Sequence, residues 1–108
     1  MERCQNLFAD IPEHLDHELT SEVLRGRFVR IERIVSRGQA SPPDFWYDQA
    51  EHEYVVVLAG NASLKIEGQS EMMLGLGDTL YLSAHTRHRV EWTDPQQDTI
   101  WLAVFWKE

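Results

Sequence analysis

The residues best suited to chemistry in this chain gather in two short stretches. One runs Gly77-Asp78-Thr79-Leu80-Tyr81-Leu82-Ser83-Ala84-His85-Thr86-Arg87-His88-Arg89-Val90-Glu91-Trp92. A Gly-Asp turn opens it, an apolar strand follows, and a polar corner leads into a second strand. Side chains alternate along a strand, so His88, Val90 and Trp92 share one face and Arg87, Arg89 and Glu91 the other. If the first face is interior, one imidazole sits among apolar residues at the mouth of a small β fold. There it is either a hydrogen-bonded core residue or a metal ligand. His85, at the corner, could lean over the same space as a proton carrier, or stand exposed in its loop.

The second stretch is Phe45-Trp46-Tyr47-Asp48-Gln49-Ala50-Glu51-His52-Glu53-Tyr54-Val55-Val56-Val57-Leu58-Ala59-Gly60. Together the two resemble the paired motifs of the cupin superfamily, and more narrowly a group of short bacterial cupins with a Phe-Trp-Tyr-Asp-Gln stretch. Glu53 stands seven residues before Gly60, as the first cupin motif requires. In the second motif Gly77 is the opening glycine and His88 holds the ligand position. Ser83 and His85 stand where the family has Pro and Gly. The two histidines of the first motif are absent. Counting back five residues from Glu53 gives Asp48, with Trp46 two before it; counting back four gives Gln49 and Tyr47. Both spacings occur among cupins, so the register stays open.

What the resemblance implies is an all-β, jelly-roll barrel of the cupin type that holds a divalent metal and a small molecule. It would be either a metal-dependent enzyme of undefined reaction or a non-catalytic ligand-binding or sensor cup without an essential metal. Asp48 is a better donor than Gln49, because a carboxylate binds a divalent cation more strongly than a neutral amide. The expected metal ligands are therefore Asp48, Glu53 and His88. This oxygen-rich set suits Mn(II), Fe(II) or Mg(II) better than Zn(II); Mn, Fe, Ni and Zn are the cofactor candidates. A Cys/His structural zinc site is excluded by the single cysteine, Cys4. Trp46, Trp92 and His85 are the expected substrate-binding residues, since small-ligand sites are mostly aromatic with few polar groups. His52 adjoins Glu53 and should face the other way.

The rest of the chain must position these groups. Residues 1–26 read as an N-terminal helical arm packed on the barrel, and 27–108 as the barrel. Asp10 and Pro12 look like a helix entry, Leu15, Leu19 and Val23 make a stripe at every fourth position, Thr20-Ser21 could recap the helix, and Gly26 ends it. From Phe28 the pattern is β: Phe28 to Val35, the apolar run Val55 to Leu58, the alternating Ala62 to Glu67, Glu71 to Leu76, Thr79 to Leu82, Arg87 to Trp92, and Ile100 to Trp106. Arg25, Arg27, Arg30, Arg33 and Arg37 read as the solvated face and edge of the first strand. Ile100 to Trp106 is apolar on both faces, which together with the resemblance points to a homodimer formed through it or through Phe28 to Val35.

With 108 residues the chain is one domain, and with a net charge of −8 it is a poor nucleic-acid binder. No run approaches a membrane span or a signal peptide, so the expected setting is the cytoplasm.

Overall fold

The computed structural model describes residues 4–108. Eight strands form two packed antiparallel sheets: β1 (Leu19–Arg25), β2 (Val29–Ser36), β3 (His52–Ala59), β4 (Asn61–Ile66), β5 (Met72–Gly75), β6 (Thr79–Leu82), β7 (His88–Thr93) and β8 (Thr99–Trp106). The larger sheet has the order β1-β2-β8-β3-β6 and the smaller β5-β4-β7. This is the all-β jelly-roll sandwich that the paired motifs imply. Its core is the space between the sheets, filled by Val55 and Val57 of β3, Ala62 and Leu64 of β4, Leu74 of β5, and Trp101, Ala103 and Phe105 of β8. These are alternate residues of their strands, as a two-layer packing requires.

The tight β3–β4 connection depends on Gly60. Its φ is +85°, and a Cβ there would lie 2.5 Å from the Asp98 carbonyl oxygen and the Thr99 side chain. A side chain at this position meets both backbone strain and a collision.

No helix occurs among the described residues. The segment expected to be helical instead contains β1, paired antiparallel with β2 from Leu19↔Val35 onward. A spacing of four satisfies both the helical period of 3.6 and the strand period of 2, so Leu15, Leu19 and Val23 could not separate them. Leu19, Ser21 and Val23 are half-buried and alternate with exposed neighbours, which is the strand solution. The barrel therefore begins at Leu19, and an irregular arm precedes it. This arm is tied down by side chains of β2 and the loop after it. Arg33 donates to the Leu7 and Ala9 carbonyls, Arg37 to those of Pro12 and Glu13, and Gln39 to that of Leu15.

For Arg30, Arg33 and Arg37 the structure overturns the reading of a solvated face and edge, whereas Arg25, on the edge strand β1, and Arg27 are exposed. β2 lies between β1 and β8 and has no free edge. Arg33 is buried, and Arg37 pairs with Asp98 at 2.6 Å. Arg30 turns inward between Glu32 and Glu51. Likewise β8 is flanked by β2 and β3, so its two-sided apolarity belongs to a central strand rather than an exposed edge.

Candidate functional site

The cavity between the sheets has a volume of about 200 Å³, and Tyr47 and Gln49 are among the residues that line it. Glu53 and His88 meet in its wall. Glu53 begins the inward row Glu53, Val55, Val57 of β3, and His88 opens β7. His88 Nε2 lies 3.5 Å from Glu53 Oε1, with both side chains almost wholly buried. His88 Nδ1 lies 2.8 Å from the Thr86 carbonyl oxygen, which can only accept, so Nδ1 carries a hydrogen and Nε2 is the atom that faces Glu53. Burial alone would lower the His88 pKa. The hydrogen bond to Glu53, the Thr86 carbonyl and the Glu53 charge outweigh it, and the net direction is upward.

Tyr47 fixes the register that the sequence leaves open. It forms an isolated antiparallel bridge with His88, its N–H donating to the His88 carbonyl at 2.7 Å and its carbonyl accepting from His88 N–H at 3.2 Å. Directly opposed residues of an antiparallel pair share a face, so Tyr47 points inward with His88. Its ring stacks on the imidazole, centroids 5.3 Å apart. Gln49 is two residues further on and also faces in, its amide donating to Glu53 Oε1 at 3.1 Å. Burial, then the charges of Glu18 and Glu53, push the Tyr47 hydroxyl pKa up.

Asp48 and Trp46 consequently face out, and the structure does not bring Asp48 together with Glu53 and His88. Asp48 Oδ1 pairs instead with His85 Nδ1 at 2.8 Å on the surface. His85, with a positive φ of 62°, is outside the cavity rather than over it. Trp46 lies on the outer side under Arg87 and Arg89, whose guanidinium carbons are 6.0 and 5.7 Å from its ring centroid. Trp92 is also outside. Ala62 pairs with Thr93 and Ser63 with Trp92, but Leu64 pairs with Val90, so Glu91 is an extra residue in β7. This bulge reverses the alternation: His88 and Val90 line the cavity, whereas Trp92 is exposed and Thr93 buried. His52 faces away from Glu53, accepting from the Ala84 N–H at 3.0 Å.

Residues that the motifs did not single out complete the lining. Arg30, Glu32 and Ile34 alternate along β2, Glu18 and Thr20 come from the arm and β1, and Trp101 and Phe105 from β8. The alternation Arg30, Glu32, Ile34 was a readable signal. Glu18 had none, because nothing local marks the end of an irregular arm.

Among the described residues no three His, Cys, Asp or Glu side chains converge as a metal centre. What remains for a divalent cation is Glu53, His88 Nε2 and, with its amide turned about, the Gln49 oxygen. The tethered Nδ1 of His88 is the arrangement that presents Nε2 to a metal, and the separation of 3.5 Å is within reach of two ligands of one cation bonded at about 2.0–2.2 Å. The donors fit such an ion as a sparse set.

Comparison with known proteins agrees with this architecture. The family model described as "Cupin domain" matches residues 32–105. A crystal structure from Ralstonia eutropha JMP134, of a protein provisionally named a mannose-6-phosphate isomerase, is 44% identical and superposes with a TM-score of 0.96, covering 99% of this chain and 100% of that one. An RmlC-like cupin from Desulfovibrio desulfuricans is 17% identical, with a TM-score of 0.77 and coverage of 98% and 97%. A Cupin 2 conserved barrel domain protein from Salinispora arenicola CNS-205 is 20% identical, with a TM-score of 0.72 and coverage of 99% and 89%. No curated protein matches the chain. From the domain match over most of its length and the similarity to the Ralstonia protein, the chain belongs to the cupin family.

Proposed function

We propose that this cupin binds a small polar molecule inside the barrel, against the Glu53–His88 pair. The observation that carries this reading is that two ionisable side chains, both nearly sealed from solvent, meet in the wall of an open cavity. An ion pair placed only for stability is a weak device, because desolvation offsets much of its attraction. Here each partner has one committed contact that aims it: Thr86 holds His88 and Gln49 holds Glu53. His88, with its raised pKa, supplies a proton at Nε2, and Glu53 receives it or accepts a hydrogen bond from the bound molecule. Tyr47 covers the imidazole face and keeps water from it.

A divalent cation on Glu53, His88 and Gln49 is a second reading, favoured by the tethered Nδ1 of His88. Such an ion would supply Lewis-acid polarisation of an oxygen on the bound molecule. A phosphorylated sugar, the substrate in the Ralstonia protein's name, finds less support. The one guanidinium of the cavity, Arg30, is already shared between Glu32 and Glu51, and three carboxylates line the same space.

The same proposal sets the protein in the cytoplasm, where the free thiol of Cys4 is stable, and pairs two copies through the outer face of the larger sheet at β8 or β2, the strands Ile100 to Trp106 and Phe28 to Val35 of the sequence reading. Among the described residues no helix is long and apolar enough to cross a membrane. A fragment library of neutral, cationic and anionic compounds, screened by the NMR signals of the His88 ring, tests the binding site. Compounds that shift His88 in the wild type and lose affinity in Glu53→Gln support it; a library in which no compound moves His88 refutes it. Elemental analysis of protein purified without a metal-binding tag, before and after chelator, decides the cation.

A further inference from the structure

Five ionisable groups besides the Tyr47 hydroxyl line the cavity, and their pairing is uneven. His88 answers Glu53, and Arg30 answers Glu32 while also reaching Glu51 and lying 3.9 Å from the Phe105 ring centroid. Glu18 is left with no cationic side chain among the described residues. Its partner is the hydroxyl of Ser36, 3.1 Å from Oε2.

That hydroxyl is itself directed. The Trp101 indole can only donate, and its Nε1 lies 3.3 Å from Ser36 Oγ. The one hydrogen of Ser36 therefore goes to Glu18. Ser36 is fully buried and Trp101 nearly so, which makes a one-way chain of donors running from the core to a carboxylate at the cavity rim. The arm is fastened immediately upstream, at the Pro12, Glu13 and Leu15 carbonyls. Glu18 as a whole is an exposed residue, and its carboxylate end is covered enough for burial to push its pKa up against the opposing effect of Ser36. Tyr47 is close enough to feel the Glu18 charge, and with Trp101 it gives the same space two aromatic walls.

We propose that the cavity selects a small organic cation, its ammonium group held by the Glu18 carboxylate against Tyr47 and Trp101 and its remainder directed toward the Glu53–His88 pair. This rests on the barrel being the binding site and names the chemical class that enters it. An ammonium supplies the charge that Glu18 lacks, and aromatic faces attract cations. A carboxylate or phosphate would meet an excess of like charge instead. The volume of about 200 Å³ admits a six-membered ring, since a cavity of roughly 150 Å³ holds benzene.

Three probes of one shape separate the possibilities: cyclohexylammonium, cyclohexanol and cyclohexanecarboxylate. Each is titrated calorimetrically into wild type and Glu18→Gln at about pH 7.5, where the amine and carboxylate probes are both ionised, with the Trp101 indole and His88 ring followed by NMR. The expected result is that wild type binds the ammonium at least about tenfold more tightly than the alcohol, a difference that Glu18→Gln abolishes while leaving the alcohol within about twofold. Should Glu18→Gln fail to fold, Ser36→Ala carries the same comparison, with a smaller loss expected. If the alcohol or the carboxylate binds wild type as tightly as the ammonium, shifting His88, the barrel is a binding site but its cation selectivity is refuted. An ammonium preference that survives Glu18→Gln refutes the assignment to Glu18. If no probe moves either signal, selectivity is refuted together with the binding reading.

Discussion

Replacing Glu53 with Gln removes one charge from the cavity wall while keeping its shape, and its effect on stability should depend on pH in a defined direction. In wild type, Nε2 and Oε1 are 3.5 Å apart with both side chains nearly buried. At an effective dielectric constant of ~20 their attraction is about 5 kcal/mol. Desolvation of the two groups takes back several kcal/mol, leaving about 2–3 kcal/mol, the usual range for a hydrogen bond to a charged group. Because the folded pKa of His88 is raised, this contribution is fully present below the unfolded histidine value of about 6.5, and it is lost as pH rises through the folded value. In Glu53→Gln burial remains while the carboxylate's raising effects are gone, so the folded pKa of His88 should fall below its unfolded value. The histidine then contributes the opposite slope, with stability lost as pH falls. Urea denaturation should show wild type ahead by about 2–3 kcal/mol near pH 5.5, the gap shrinking below about 1 kcal/mol near pH 9. Groups not coupled to the pair largely cancel in the difference. The His88 ring titration, followed by NMR, should move to lower pH in the variant. A gap that is constant, or wider at pH 9, would refute the reasoning.

Three further outcomes follow from the geometry. If a cation binds, Gln49→Ala should weaken Mn(II) binding by about tenfold, whereas Asp48→Asn should leave it within about twofold, by calorimetry; the reverse order would put Asp48 in the site. Gly60→Ala should cost about 3 kcal/mol or more in urea denaturation, because strain at positive φ adds to the collision with Asp98 and Thr99, whereas Gly68→Ala, also at positive φ but with no atom near its Cβ, should cost about 1 kcal/mol. Sedimentation at micromolar concentration should show a dimer; a monomer there removes the proposed pairing of the outer sheet faces.

The strands were largely legible because composition and alternation agree along most of them. Val55 and Val57 together with Ala62 and Leu64 locate both sheets, and the spacing from Glu53 to Gly60 and from Gly77 to His88 brings the two motif residues face to face. Trp92 was placed by alternation alone and Asp48 by donor strength in an open register, and both choices met a contact that neither argument contains. One extra residue at Glu91 reversed Trp92, and the Tyr47–His88 bridge, a contact across about forty residues, set which of Asp48 and Gln49 faces inward. In the arm, a spacing of four was compatible with either secondary structure. Glu18 was invisible for a different reason, since its place depends on Ser36, Trp101 and the fastening of the arm rather than on its neighbours in sequence.

That fastening has a consequence for how the protein tolerates change. Arg33, Arg37 and Gln39 reach only carbonyl oxygens of the arm, groups that every amino acid possesses. Identity in residues 7–15 is therefore only weakly constrained by these bonds, while length is strongly constrained. A substitution leaves each acceptor where it was, but one inserted or deleted residue shifts the carbonyls past their donors and moves Glu18 off the rim. Among cupins sharing this arm, its sequence should drift while its residue count, and the three residues that grip it, stay fixed.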